Sequence, residues 1–260
     1  MRRDAISAAR ASGGRASGER AGGNRAGGGR ASGGRSGWRR PSRRRVAAIL
    51  ARLRCLYGAP RLRKHERPLD ELVLTVLSQN TSDRNRDLAY ARLRERFSDW
   101  RAVREAPVED LEDAIRCGGL APTKARRIKE ILERLGDDDL RWLAEAPLER
   151  AREFLCDLPG IGRKTAACVL LFAFGRPEVP IDTHVHRVAT RLGLLPQRVG
   201  FEEAHDLALR YTADFDPYEF HVLLIRHGRR LCAARRPACE RCPVADLCPS
   251  SRALVPARGR

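Results

Sequence analysis

The chain has 260 residues, 42% of them hydrophobic, which is enough to bury a sizeable core in one or two domains. It contains no run of 18 or more apolar residues and no apolar stretch near its start, which argues against a membrane-spanning helix and a secretory signal. The formal charge of +18 points to a polyanionic partner: thirteen Arg against Asp4 and Glu19 put +11 in residues 1–45, and the remaining +7 keeps the rest basic.

At positions 10, 15, 20, 25, 30, 35 and 40 an Arg recurs among Ala, Ser, Gly and Asn. A segment with so little apolar surface cannot offset its ordering entropy, so residues 1–42 are expected to form a disordered tail. Its Arg/Gly character suits an arm that follows phosphates, and equally a solvated tail without a partner. An acid-poor, Arg-rich start also suits an organelle presequence, but the apolar face of one is missing.

Beyond Pro41, apolar positions repeat at helical spacing and period-two β-branched runs are absent, which predicts an all-α fold. Val46, Ile49, Leu50, Leu53 and Leu56 form one stripe; Leu69, Leu72, Val73, Val76 and Leu77 form another. Further helices are expected over 83–96, 108–116, 123–135, 147–155, 163–174, 183–193, 201–213 and 217–229, with Gly or Pro at most joints. Residues 165–174 are apolar on every side and are followed by Gly175 and Pro177, the pattern of a helix buried at a domain centre.

Just before that helix the chain reads Leu158-Pro159-Gly160-Ile161-Gly162-Arg163-Lys164-Thr165-Ala166. Two glycines between helices permit a tight turn, which offers unpaired backbone N–H groups and the positive end of a helix dipole to a phosphate oxygen. Glycines alone would also suit an ordinary connection. Pro159, both glycines and the Arg163-Lys164 pair together favour DNA binding.

Residues 179–188 read Val-Pro-Ile-Asp-Thr-His-Val-His-Arg-Val. Pro180 keeps Val179 extended and a new helix begins at once, so Asp182 stands at an N-cap, where Asp is common for structural reasons alone. His184 and His186, near the helix start, are expected to satisfy local hydrogen bonds.

Of eight cysteines, Cys232, Cys239, Cys242 and Cys248 follow the spacing C-x6-C-x2-C-x5-C. Four thiolates in seventeen residues describe a loop wrapped around one centre. Zinc more often uses two close pairs, so a cubane cluster fits better, although spacing alone leaves zinc open. Arg229, Arg230, Arg235, Arg236 and Arg241 lie near in sequence to offset an anionic cluster. Cys55, Cys117, Cys156 and Cys168 show no ligand spacing and are expected to be buried thiols.

The string at 158–166 resembles the hairpin of the helix-hairpin-helix glycosylases. With Asp182 and the cysteine loop, the chain resembles the endonuclease III family over roughly residues 45–250. The resemblance implies two lobes: a helical barrel at 66–176 with the hairpin at 158–166, and a second lobe of 43–65 and 177–255 with the cluster loop at 232–248. It implies a base-excision-repair N-glycosylase for oxidised pyrimidines with AP lyase activity, a [4Fe-4S] cluster on the four cysteines, Lys164 as nucleophile and Asp182 as the essential carboxylate. Leu158, Pro159, Gly160, Ile161, Gly162 and Arg163 would then hold DNA, and Arg235 and Arg236 would meet its backbone. The partner is expected to be double-stranded DNA with damaged bases or abasic sites, bound by a monomer in the bacterial cytoplasm at the nucleoid.

Chemistry supports the assignment. A lysine in the first turn of an apolar helix should have its ammonium disfavoured by dipole and desolvation together, freeing an amine to attack C1′. A carboxylate opposite would stabilise the positive charge that develops on the sugar.

Two departures from the family pattern matter. Counting back from Asp83 in Ser78-Gln79-Asn80-Thr81-Ser82-Asp83 puts Asn80 where relatives carry the Gln that fills the gap left by an extruded base, so Gln79 and Asn80 are both candidates. Ser78 and Asp83 are expected to line the pocket. Cys156 stands where some relatives have an acidic residue, and Asp157 beside it should point elsewhere. Two alternatives stand beside this assignment: a sister mismatch glycosylase working through Asp and water, and a non-catalytic DNA-binding module.

Overall fold

Helical periodicity makes the helices of this chain, and polar residues at their starts decide where each begins. The computed structural model describes residues 37–64, 67–212 and 215–254, and among them it contains twelve α-helices, short 3₁₀ turns and no strand. Ser42 caps α1 (Arg43–Tyr57) by accepting from the Arg45 amide. Next, α2 (Pro68–Ser78) opens on a proline at its first position, and Ser82 caps α3 (Asp83–Arg96). Asp99 accepts from the Ala102 amide at 2.7 Å and starts α4 (Trp100–Glu105). After α5 (Val108–Ala114), α6 (Ala121–Leu135) and α7 (Leu148–Cys156) comes α8 (Arg163–Phe174). Asp182 caps α9 (Thr183–Arg191); α10 (Phe201–Thr212), α11 (Pro217–Arg230), capped by Asp216, and α12 (Pro249–Leu254) complete the order. Each side-chain cap contributes about 1 kcal/mol.

Buried side chains gather into two cores. One draws on residues between Leu72 and Leu170, from α2 to α8. The other joins Val46, Ile49, Leu50 and Leu53 of α1 to residues from Val179 to Leu224 and to Val244. A fully buried Leu, Ile or Val adds roughly 1.5–3 kcal/mol, so both clusters are substantial. Helix α8 packs along α2 and α7 and also meets α10 and α11. That position explains why it is apolar all round. It ends at Gly175, whose φ of +69° lets its amide and that of Arg176 turn back onto Leu171 O and Leu170 O, both at 2.9 Å. From α7, Arg152 pairs with Glu178 at 2.5 Å, a carboxylate fully buried in the segment leading to Asp182.

The expected helices are present, most with ends shifted by a residue or two, while 83–96 and 163–174 agree at both ends. Helices α4 and α12 and the 3₁₀ turn Arg141–Ala144 were not expected; six residues or fewer are too short for a period to register. Leu56, assigned to the first stripe, is 48% exposed because the helix ends at Tyr57. The tail expected over 1–42 falls mostly outside the described residues. At its end the expectation fails: Trp38 donates from Nε1 to Gly193 O at 3.3 Å and packs on the second core, and Pro41 is buried.

Candidate active site

The hairpin is anchored from both sides. Leu158 and Ile161 are buried in the first core, while Gly160 takes φ +67° and the Ile161 amide bonds Leu158 O at 3.1 Å. A Cβ on Gly160 would fall 2.0 Å from Arg127 Nε, so besides the backbone angle that favours glycine, any larger residue would have to displace the Arg127 side chain. Gly162 caps α8 without a side chain, and no side-chain oxygen competes for the first-turn amides. Pro159 sits half-buried at the turn. Arg163 departs from expectation: its guanidinium turns inward to Asp206 at 2.9 Å and is only 13% exposed, so its backbone, not its charge, faces outward.

Beside the hairpin lies an open cleft of about 1200 Å³, above the roughly 300–1,000 Å³ of ordinary ligand pockets. Lys164 and Cys168 enter it from α8, Asp182 from the α9 cap, Glu71, Thr75 and Ser78 from α2, Asp83 from α3 and His221 from α11. Asp182 accepts from the Val185 amide through Oδ1 at 2.7 Å, which fixes its orientation. Its segment is held by two buried histidines. His221 Nδ1 bonds Pro180 O at 2.7 Å, and His205 Nε2 accepts from the Ile181 amide at 3.1 Å while its Nδ1 bonds Phe201 O at 2.7 Å. Burial lowers the pKa of each to about 4, so both are neutral. His184 bonds locally, to Arg187 at 3.1 Å, whereas His186 reaches beyond its own helix to Val199 O at 2.9 Å.

The surroundings of Lys164 pull its charge state in both directions. Its pKa is raised: Cys168 favours the ammonium most, burial opposes it, and the Asp182 and Glu71 carboxylates favour it further. Burial pushes Cys168 itself up to about 11, so that sulfur is a neutral thiol at pH 7 and its charge does not act on Lys164 there, leaving burial set against the two carboxylates. Local reasoning about a helix start missed neighbours that arrive from α2 and α9. Glu71 is the least anticipated of them. It is 4% exposed, accepts from Thr75 Oγ1 at 3.0 Å, and burial raises it to about 7 against the pull of Thr75, Arg86 and Lys164. Its signal was present as a polar stripe, Glu71, Thr75 and Ser78, along an otherwise apolar helix.

At the mouth of the cleft the two wedge candidates separate. Gln79 is half-buried and its Oε1 accepts from Arg127 Nη1 at 2.6 Å, the same Arg127 that crosses Gly160. Asn80 is exposed in left-handed backbone, φ +51°. Leu120, also at φ +51°, is 56% exposed two residues after Gly118. The two loops are joined by Lys124, whose Nζ donates to Leu77 O at 2.7 Å, Gly118 O at 2.9 Å and Thr81 Oγ1 at 2.5 Å. Sequence reasoning found none of Leu120, Lys124 and Arg127. Ser78 and Asp83 line the cleft, whereas Cys156 and Asp157 do not.

Cys232, Cys239, Cys242 and Cys248 line one cavity and are all free thiols. Among the described residues no three potential ligands converge closely enough to hold a single metal ion. Four soft sulfurs around a shared space, too far apart for one ion, suit a cluster in which each binds a different iron. Arg191, absent from the expected set of cations, bonds Cys232 Sγ at 3.4 Å and Ala233 O and Ala234 O at 2.7 Å. Two of the expected cations are committed elsewhere: Arg229 pairs with Asp83 at 2.7 Å in the cleft, and Arg230 lies over the Tyr57 ring. Arg235 and Arg236 are exposed on the cysteine loop. Of the other cysteines only Cys168 is buried; Cys55 is exposed, and Cys117 and Cys156 are half-buried on helix ends.

Comparison with known proteins agrees with this geometry. The family pattern of HhH-GPD superfamily base excision DNA repair proteins matches residues 73–209, and that of the iron-sulfur binding domain of endonuclease III matches residues 232–248. Endonuclease III of Sulfolobus acidocaldarius is 37% identical over 179 residues, 68% of this chain and 79% of that protein. Endonuclease III of Synechocystis sp. is 34% identical over 214 residues, 82% of this chain and 95% of its own. Among solved structures, a trapped endonuclease III–DNA covalent intermediate superposes with a TM-score of 0.70 at 31% identity, covering 82% of this chain and 99% of that one.

Proposed function

We propose how this cleft works from one premise: the chain belongs to the endonuclease III family, a branch of the HhH-GPD superfamily of base excision DNA repair proteins. It is a bifunctional DNA glycosylase and AP lyase with an all-α fold and a [4Fe-4S] cluster. Its proposed substrate is duplex DNA carrying an oxidised pyrimidine or an abasic site, bound by a monomer in the bacterial cytoplasm at the nucleoid. No helix among the described residues is long and apolar enough to cross a membrane.

The observation that carries the residue assignment is that Lys164 and Asp182 line the same cleft from different helix starts. Lys164, once neutral, attacks C1′; the bond from C1′ to the base breaks, and its electron pair leaves with the base. Asp182, held by the Val185 amide, stabilises the positive charge on the sugar. The C1′–O4′ bond then breaks and O4′ takes a proton, leaving a Schiff base between Lys164 and C1′; loss of a C2′ proton from it breaks the C3′–O3′ bond, whose electron pair leaves with the 3′ oxygen. First-turn amides of α8 and the turn at Pro159 and Gly160 receive a phosphate. Asn80 is the wedge that replaces the extruded base, since Gln79 is held by Arg127, and Leu120 offers an apolar partner wedge. The two lobes are residues 66–176 and residues 43–65 with 177–255, each built on its own core. Cys232, Cys239, Cys242 and Cys248 would hold the cluster, which when bound crosslinks the loop that presents Arg235 and Arg236 to the DNA backbone.

Borohydride added during reaction with duplex DNA bearing an abasic site should trap a covalent complex. Lys164→Gln should abolish trapping and leave binding intact. Trapping that persists in this variant removes Lys164 from the nucleophile role, and base release without trapping in the natural protein would point instead to the mismatch-glycosylase chemistry.

A further inference from the structure

Two turns of the chain are set against DNA in the proposed reading, the hairpin at Pro159 and Gly160 and the loop that carries Asn80. One side chain from a third element touches both. Arg127 stands on α6, one turn beyond Lys124. Its Nη1 donates to Gln79 Oε1 at 2.6 Å. Its Nε, Cζ and Cδ are the atoms that a Cβ on Gly160 would meet first, so the same side chain lies over the hairpin glycine. A rigid planar fork of donors holds such a geometry better than a flexible ammonium. Lys124 ties the loop through Leu77 O and the Thr81 hydroxyl, whereas Arg127 takes hold of one of its two adjacent amide side chains. The other, Asn80, is exposed, and its φ of +51° is a left-handed conformation that Asn adopts more readily than Gln.

Resting on the reading of Asn80 as the wedge, we propose that Arg127 is the positioning residue that selects it. By drawing the Gln79 amide toward the hairpin, Arg127 leaves Asn80 as the amide presented to the base opposite the lesion. Either side chain offers an acceptor and two donors to an orphaned base. They differ by one methylene in reach, and they start from different backbone conformations, Gln79 at φ −61° and ψ 121°, Asn80 at φ +51°. The two would therefore read the four bases differently. One neutral hydrogen bond contributes about two- to tenfold in affinity, the scale on which a competing amide changes a preference. Arg127 is absent from the lining of the cleft that holds Lys164 and Asp182, so its effect falls on recognition and not on the chemistry.

The test uses the full chain and duplexes carrying a non-reactive abasic analogue opposite adenine, cytosine, guanine or thymine. The readout is the set of ratios among the Kd values, because loss of one cation weakens every duplex by a common factor that cancels. Arg127→Met keeps an apolar stem over Gly160 and removes the donor. Its ratios should shift by about two- to tenfold, while borohydride trapping at saturating abasic duplex keeps its single-turnover rate. Truncating the released amide as well, in Arg127→Met with Gln79→Ala, should restore the ratios of the natural protein, and Gln79→Ala alone should leave them unchanged. A merely structural role for Arg127 would not be undone by a second truncation. Unchanged ratios in Arg127→Met, shifted ratios that persist in the double variant, a shift in Gln79→Ala alone, or slowed trapping at saturation would each overturn the proposal. If Arg127→Met does not fold, Arg127→Gln, too short to keep both contacts, takes its place with the same outcomes. Asn80→Ala must itself alter the ratios; if it does not, the wedge reading fails, a result obtained without any change at Arg127.

Discussion

Lys124→Met tests whether the two loops at the mouth of the cleft are held by one buried ammonium. Lys124 is 2% exposed and, although burial lowers its pKa, all three of its donors are satisfied, by Leu77 O, Gly118 O and Thr81 Oγ1. Methionine has similar length and no donor, so the core is kept while three acceptors lose their partner. A hydrogen bond to a charged group contributes ~1.5–3 kcal/mol, which for three bonds gives about 4.5–9 kcal/mol gross. Relief from burying the charge offsets several of those, leaving a net loss of about 2–4 kcal/mol. For a chain of this size that lowers Tm by roughly 5–15 °C. Thermal unfolding followed by circular dichroism measures the loss. Binding to an abasic duplex measures its consequence, because Asn80 and Leu120 would no longer be fixed relative to each other. A Tm and an affinity both equal to those of the natural protein would refute the claim that Lys124 joins the loops.

Three further outcomes are expected. Asp182→Asn should keep the α9 cap, since Asn caps as well as Asp, while base release falls by on the order of 10²–10³-fold; retained activity in a folded variant would show that the charge is not used. His205 is held down to about 4 against an ordinary 6.5, so the folded state binds fewer protons in that window. Its contribution, on the order of 3 kcal/mol, is full above pH ~6.5 and is lost as pH falls toward 4. Urea midpoints at pH 7 and pH 4.5 should therefore converge in His205→Asn, and an unchanged gap speaks against the assignment. Cys239→Ser should cost the visible iron-sulfur absorbance and weaken binding to DNA through Arg235 and Arg236, with the salt dependence of binding reduced in step. Intact absorbance would remove Cys239 from the ligand set.

What the sequence made legible was what neighbouring residues decide among themselves. The bounds of α3, the all-round apolar character of α8, the glycine turn before it, the Asp182 cap and the cysteine spacing are all local signals, and each stands in the fold where expected. The misses are long-range. Lys124 and Arg127 sit on the same helix and look like ordinary surface cations until α6 is laid against the end of α2, where one becomes buried and the other bridges Gln79 and Gly160. Arg229 is three residues from Cys232, yet its place on α11 sends it to Asp83. Lys164 shows the limit most clearly. The dipole and the apolar helix were read correctly, but Cys168 on the same helix and two carboxylates from elsewhere in the fold oppose them.

Binding and chemistry, as proposed, are joined in this fold. Gly162, whose backbone is the proposed phosphate contact, is two residues from Lys164, so any shift of that contact along α8 moves the proposed nucleophile with it. Helix α2 ends at the Asn80 loop and carries Glu71 two turns earlier on its buried face. With α2 and α8 packed side by side, the proposed extrusion of a base by the wedge and delivery of its sugar to Lys164 would be fixed by one helix pair.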